Sequence, residues 1–228
     1  MKILVLSCDK NEDLFPIFHH CIEKYWPDHP EVIYKTETII NPYYKTIAVD
    51  CPLNEWTKGV REALKKIDDD QILLMVDDIF IRKEVDTERL EYASEHLKGN
   101  IACMNMELSF DPYDMETELK GWKKRRSAVL SPWVVSIMCG LWQKDKLLEV
   151  LNPNCSPWEV EAMQNTCGYD YYINSGHSII YWGYNTFQLV GVQRGQWTLE
   201  CLEFLHREGL LNDIDISKRG VYGYELQE

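Results

Sequence analysis

Short continuous apolar runs alternate with helix-period segments along the first 106 residues, and this alternation constrains the fold more than any other feature of the chain. Residues 3–6 are apolar without a break, as expected of a strand buried on both faces. From about Asp13, Phe15, Phe18, Cys21, Ile22 and Tyr25 recur on one helical face, and Pro27 and Pro30 end the segment. Val32, Ile33 and Tyr34 read as a second strand. Residues 40–52 contain Asn41-Pro42 and Cys51-Pro52 and read mostly as loop. A helix over residues 56–67 places Val60, Ala63, Leu64 and Ile67 on one side. A strand follows at Gln71–Val76, then a helix over residues 86–97 that buries Leu90, Ala93 and Leu97, then a strand over residues 101–106. The order β-α-β-loop-α-β-α-β predicts an α/β fold with a mostly parallel, helix-flanked central sheet.

The second half is patterned differently. Residues 107–127 are polar and contain Asp111-Pro112 and the basic run Lys123-Lys124-Arg125-Arg126. Residues 133–139 read as a strand, 145–151 and 157–166 as short helices, 179–182 and 187–192 as strands, and 197–208 as a helix. The chain has no internal repeat, low-complexity stretch or linker. The expectation is one domain over residues 1–228, with a nucleotide-binding half (1–106) and an acceptor-side half (107–228).

Bulk properties exclude some classes. A formal net charge of -13 disfavours non-specific binding to nucleic acid or to anionic membranes. None of the eight cysteines forms a Cys-x-x-Cys pair, so a structural zinc site is not expected. Cys8, Cys103 and Cys139 sit in apolar runs and read as free, buried thiols, which points to a reducing compartment. The apolar start is too short for a signal peptide, and no run approaches the roughly 18 apolar residues of a membrane span. The expected location is the cytoplasm.

Several constellations can carry chemistry. Asp77 and Asp78 directly follow the 71–76 strand, at the carboxyl edge where open α/β sheets bind ligands. A divalent ion bridging them to a diphosphate would relieve their mutual repulsion; a helix cap or solvated turn is the plain alternative. Ser156-Pro157-Trp158-Glu159 matches a capping box, which gives Glu159 a structural role. Glu161 lies roughly 200° further around the helix and is free to act as a general base. Trp158 is expected in the core. In Gln193-Arg194-Gly195-Gln196-Trp197, glycine permits a tight turn before a helix and Arg194 can reach a diphosphate. Lys58 and Arg61, one helical turn apart, can meet phosphates or simply be solvated. His177 is a candidate metal ligand, whereas His19 and His20 read as structural. There is no Gly-x-Gly-x-x-Gly, Walker loop or Gly-x-Ser-x-Gly.

Together these pieces resemble the small bacterial and phage glycosyltransferases of the GT-A type. The resemblance runs through Val5-Leu6-Ser7-Cys8-Asp9, Tyr25-Trp26-Pro27-Asp28, Trp56-Thr57-Lys58-Gly59 and Ile72 through Asp77-Asp78-Ile79-Phe80. It continues through residues 136–142, Ser156 through Glu161 and Arg194-Gly195-Gln196-Trp197. It implies a GT-A-like, Rossmann-type sheet. Ser7 and Asp9 would face the nucleoside, with Lys58 and Arg61 also on the donor. Asp77 would meet the ribose, Asp78 and His177 a divalent Mn²⁺ or Mg²⁺, and Arg194 the diphosphate. Glu161, or Glu159 if it is not a cap, would be the catalytic acid-base group. The contiguous acids depart from the spaced Asp-x-Asp form. The implied activity is hexosyl or pentosyl transfer from a nucleotide-sugar, UDP-sugar foremost, to a hydroxyl on a glycan, a lipid-linked glycan or hydroxymethylated phage DNA. A nucleotidyltransferase, a two-carboxylate glycoside hydrolase and a non-catalytic binding module are the competing readings. The basic residues Lys120, Lys123, Lys124, Arg125 and Arg126 around Trp122 read as a solvated loop or as a groove for an anionic acceptor.

Overall fold

The computed structural model describes residues 1–108, 114–126, 134–180, 191–212 and 214–222. In chain order the elements are β1 (Lys2–Leu6), α1 (Phe15–Tyr25), β2 (Val32–Thr36), β3 (Lys45–Ala48), α2 (Trp56–Lys65), β4 (Gln71–Val76), α3 (Thr87–His96) and β5 (Ile101–Leu108). They continue with β6 (Met115–Glu116), β7 (Trp122–Lys124), β8 (Cys139–Gln143), α4 (Lys144–Val150), α5 (Pro157–Met163), β9 (Asp170–Asn174), β10 (Val192–Gln193), β11 (Gln196–Trp197) and α6 (Leu199–Glu208). They form two compact units, interleaved along the chain. The first comprises residues 1–9, 30–76 and 86–180; the second comprises 10–29, 77–85 and the described part of 181–228.

The first unit holds a nine-stranded sheet in the order β3-β2-β1-β4-β8-β5-β9-β7-β6. It is parallel from β3 to β4 and becomes mixed where β8 enters antiparallel to both β4 and β5. The architecture is therefore α/β, as expected, but the sheet is mixed rather than mostly parallel. In β1 and β4 every residue from Ile3 to Val5 and from Ile72 to Met75 is fully buried, which is why both read as unbroken apolar runs. One face carries a single apolar cluster. Leu4, Leu6, Ile33, Ile72 and Leu74 of the sheet meet Val60, Ala63 and Leu64 of α2, Leu147 and Val150 of α4, and Val160 of α5. Each fully buried leucine there contributes about 2 kcal/mol.

The first unit departs from the sequence pattern in four places. Residues 40–52 contain β3, a short edge strand that buries only Ile47. The polar stretch after β5 contains the β6–β7 hairpin. The strand expected over 133–139 lies instead at Cys139–Gln143. Val134, Val135 and Ile137 are buried, but Val135 and Ile137 bond side chains of α5 and its C-cap: Gln164 accepts from Val135 N–H at 2.9 Å and Glu161 from Ile137 N–H at 3.1 Å. Finally, Asp170–Asn174 is a strand the pattern did not announce, parallel to β5 and antiparallel to β7.

In the second unit, the tip of α6 is tied to α1 through Glu208. Its carboxylate accepts from Lys24 Nζ at 2.7 Å and Tyr25 Oη at 2.8 Å, and pairs with His20 Nε2 at 2.9 Å. His20 is structural, as expected. The Arg82 guanidinium lies 4.5 Å over the Phe204 ring. The helix expected over 197–208 begins at Leu199, capped by the Thr198 hydroxyl, while Trp197 belongs to β11. Of the two strands expected over 179–192, residues 181–190 lie outside the described residues.

Candidate functional site

The acid pair sits in the second unit and is held from two directions. Asp77, buried, accepts from Asn11 Nδ2 at 2.9 Å. The Asp78 carbonyl accepts from Gly191 N–H at 2.6 Å, and a Cβ on Gly191 would stand 3.1 Å from that oxygen. Desolvation pushes the Asp78 carboxyl up to about 6, against the opposing pull of its own backbone N–H and of Arg219. Arg219 in turn organises the loop that carries Asn11. It donates to both carboxylate oxygens of Asp13 at 2.7 and 2.5 Å, to Asn11 Oδ1 at 3.0 Å and to Lys10 O at 2.9 Å, and it lies 5.6 Å over the Trp197 ring.

Asn11, Asp13, Gly191 and Arg219 were not singled out from the sequence. Arg219 stands far along the chain from Asp78, within Lys218-Arg219-Gly220, and only the docking of residues 220–222 along Trp197 brings it there. Arg194 is not its equivalent. With Gly195 it forms the two-residue turn of the β10–β11 hairpin, at φ +50° and +82°, and is exposed. The expected strand-to-helix turn is thus a hairpin.

In the first unit, β1 and β4 end level, Leu6 beside Val76, so Asp9 and the acid pair each follow the carboxyl end of a parallel strand. Asp9 is engaged by the loop after β2. It accepts from the backbone N–H groups of Glu37, Thr38 and Ile39 at 3.2, 3.0 and 3.1 Å and from Thr38 Oγ1 at 2.5 Å. Burial opposes its charge, but the hydrogen bonds outweigh burial and bring the carboxyl to about 2. Ser7 is buried, and its hydroxyl donates to Cys8 O at 3.3 Å. Lys58 is exposed and paired with Glu55 at 2.6 Å. Arg61 donates to Leu151 O and Asn154 Oδ1, both at 2.5 Å, which fixes the loop between α4 and α5. That commitment gives Arg61 a structural role in place of the expected donor contact.

The α5 helix begins with the capping box read from the sequence. Glu159 N–H donates to Ser156 Oγ at 3.4 Å, and Ser156 N–H donates to Glu159 Oε2 at 2.8 Å. Glu161 lies on a different side of the helix, half-buried. Desolvation raises its carboxyl pKa, partly offset by hydrogen bonds from Ile137 N–H and the Ser136 hydroxyl. Glu107, on β5, is raised in the same way, with Arg125 acting against burial and Glu161 adding to it. A carboxylate made more basic by partial desolvation suits proton abstraction. Trp158, expected in the core, is 68% exposed on the same helix.

His177 does not match a metal ligand. Its Nε2 pairs with Asp86 Oδ2 at 2.5 Å, and the Arg89 guanidinium approaches Nδ1 at 3.4 Å. Arginine only donates, so both ring nitrogens are used and a cation already stands beside them. Within the basic run, Lys123 pairs with Glu116 at 2.9 Å and Lys124 with Asp170 at 2.6 Å, while Trp122 is buried.

Among the described residues, no three His, Cys, Asp or Glu side chains are grouped to hold a metal ion by themselves. The acid pair fits a different kind of site. Mg²⁺ and similar ions are commonly held by one or two carboxylates together with substrate phosphates. A desolvated carboxyl such as Asp78 gains from a cation brought by the substrate.

No protein-family model and no curated protein sequence matches the chain. Among solved structures, the mannosyltransferase PcManGT from Pyrobaculum calidifontis, in complex with GDP-Man and Mn²⁺, aligns with TM-score 0.51 at 10% identity, over 85% of this chain and 57% of that one. The bifunctional IspDF from Campylobacter jejuni aligns with TM-score 0.47 at 12% identity, over 79% and 51%. TarS residues 1–349 from S. aureus aligns with TM-score 0.46 at 12% identity, over 76% and 60%. The chain spans between about half and three fifths of the length of these structures. At this identity the PcManGT match establishes the GT-A-like fold alone.

Proposed function

We propose that the protein is a glycosyltransferase that moves a hexosyl or pentosyl group from a nucleotide-diphosphate sugar to an acceptor hydroxyl. The observation that carries the reading is the acid pair at the end of β4, where the buried Asp77 is held by Asn11 and the Asp78 carboxyl is desolvated under the field of Arg219. Such a group is poised for a cation that arrives with a diphosphate. The reading is also supported by the fold shared with a mannosyltransferase that holds GDP-Man and Mn²⁺. A UDP-sugar is the first donor to test and a GDP-sugar the second. The proposed donor side draws on Asn11, Asp77 and Asp78 from residues 1–106, and on Gly191 and Arg219 from residues 107–228, the half otherwise expected on the acceptor side. Candidate acceptors are a glycan, a lipid-linked glycan or a hydroxymethylated DNA base. The cytoplasm is the proposed location, in keeping with eight free cysteines. No helix among the described residues is long and apolar enough to cross a membrane.

Mn²⁺ or Mg²⁺, when bound, neutralises charge that develops on the departing nucleoside diphosphate. Asp78 would hold that ion. Asp77, fixed by Asn11, would orient the ribose, and Arg219 would keep Asn11 and Asp13 in place. Glu161 would take the proton of the acceptor hydroxyl. The acceptor oxygen then bonds to the anomeric carbon as the bond to the β-phosphate oxygen breaks, and the nucleoside diphosphate leaves with the electron pair. Glu159 is left to its cap.

Product analysis separates this reading from nucleotidyl transfer. With Mn²⁺ and a panel of nucleotide-sugars, the protein releases nucleoside diphosphate; with nucleoside triphosphate and a sugar phosphate it releases no pyrophosphate. Pyrophosphate release without nucleoside diphosphate would overturn the proposal.

A further inference from the structure

Lys35, on β2, is fully buried, and its Nζ has no hydrogen-bond partner. Its nearest carboxylate oxygen, Glu37 Oε1, is 4.0 Å away, while Glu37 Oε2 is taken by the N–H of Asp9 at 2.5 Å. An ammonium ion in such a place lacks a close counter-charge. The group beside it is a thiol. Measured from where a Cβ on Gly59 of α2 would stand, Cys51 Sγ is 2.5 Å away, Lys35 Cε 3.3 Å and Lys35 Nζ 3.6 Å. Lys58, itself paired with Glu55, also interacts electrostatically with Cys51.

We propose that Cys51 is a covalent modification site whose sulfur, packed with the Lys35 side chain against Gly59, reacts with soft electrophiles and hydroperoxides ahead of the buried cysteines and of Cys167. The contrast with those cysteines supports it. Cys21, Cys103, Cys139, Cys155 and Cys201 are buried, and burial raises each thiol. The exposed Cys167 is raised too, by desolvation and by Glu149. Cys51 is half-buried, its sulfur and the Lys35 Nζ both lie within 4 Å of the Gly59 Cβ position, and Lys58 interacts with it electrostatically. With a hydroperoxide, the sulfur attacks the terminal oxygen. The S–O bond forms, the O–O bond breaks, and the thiol proton leaves with the alcohol or water. Sulfur is oxidised by two electrons and the peroxide reduced by two, leaving a sulfenic acid.

The added atom has little room, because Gly59 packs against the sulfur. An adduct displaces α2, and α2 is linked to the start of α5. Thr57 Oγ1 donates to Pro153 O and accepts from Cys155 N–H, both at 3.0 Å, and Thr57 N–H donates to Cys155 O at 3.1 Å. Ser156 and α5 follow directly. A change in activity through Glu161 rests on the proposed function; the modification itself does not.

The test is a timed reaction of the intact protein with limiting iodoacetamide, read by peptide mass spectrometry at Cys51 and at Cys167 as the internal reference. A parallel arm uses hydrogen peroxide followed by dimedone to trap sulfenic acid. Cys51 should react about tenfold faster than Cys167 and carry the dimedone label, and Lys35→Met should slow Cys51 about tenfold with Cys167 unchanged. A Cys51 rate no greater than that of Cys167, or one unaffected by Lys35→Met, overturns the proposal. If Lys35→Met does not fold, the wild-type rate ratio decides.

Discussion

Asp78 sets the chemistry of the acid pair through solvation. An ordinary aspartate titrates near 3.9 when unfolded, and here the folded group titrates at about 6. The folded state therefore binds the proton more tightly, and its stability falls as pH rises from about 4 to about 6. Above that the full cost remains, on the order of 3 kcal/mol. Asp78→Asn removes it. In chelator, thermal unfolding of the variant should shift upward at pH 7.5 and stay nearly unchanged at pH 4, while transfer is lost. A drop in melting temperature at pH 7.5 contradicts the desolvation argument. Glu161 is raised by the same cause, so Glu161→Gln should lower kcat by roughly 10²–10⁴-fold with donor affinity retained, measured by steady-state kinetics and calorimetry. Loss of donor binding in that variant would move Glu161 out of the base role. The placement of Asp77 and Asp78 after β4 and of Glu161 on α5 was legible from the sequence because strand ends and capping patterns are local. Asn11, Gly191 and Arg219 were not, since only tertiary folding brings them beside the acids.

At the scale of elements, the start of α5 is as the sequence predicts, although the helix expected over 157–166 ends at Met163. Ser156, Pro157 and Glu159 state its start, and the capping box forms as read. Ser156→Ala should cost about 1 kcal/mol of stability by denaturant titration and lower activity through looser placement of Glu161. The loop after β2 depends on Asp9 instead. With the carboxyl at about 2, its stabilising bonds are fully present above about 4 and are lost as pH falls through 2. Asp9→Asn should therefore destabilise at pH 6, by on the order of 1 kcal/mol after solvent screening, and much less below pH 2. β4 and α2 were read correctly because their periodicities are clean and their faces fully buried. Residues 134–143 misled for a physical reason. Val134, Val135 and Ile137 have the composition of a strand, yet Val135 and Ile137 bond side chains of α5 and its C-cap, and the ladder begins only at Cys139. β9 was missed because its pairing with β5 and β7 is non-local.

For the whole molecule, the alternation of apolar runs and helices predicts the α/β class, and the sheet order supplies what alternation cannot. β8 runs antiparallel between β4 and β5 and makes the sheet mixed. The net charge of -13 and the pairing of Lys123 and Lys124 leave an anionic macromolecular acceptor dependent on local contacts, so binding of plain duplex DNA should be weak and fall steeply with salt in a filter-binding titration. The account turns on whether the acid pair takes a nucleotide-sugar together with a divalent ion. Calorimetric titration of UDP- and GDP-sugars into the wild-type protein and Asp78→Asn, each with and without Mn²⁺, measures this directly. The account predicts saturable binding of one donor by the wild type that weakens at least tenfold without Mn²⁺, and none by the variant at matched concentration. Equal donor binding by wild type and Asp78→Asn in the presence of Mn²⁺ would contradict it.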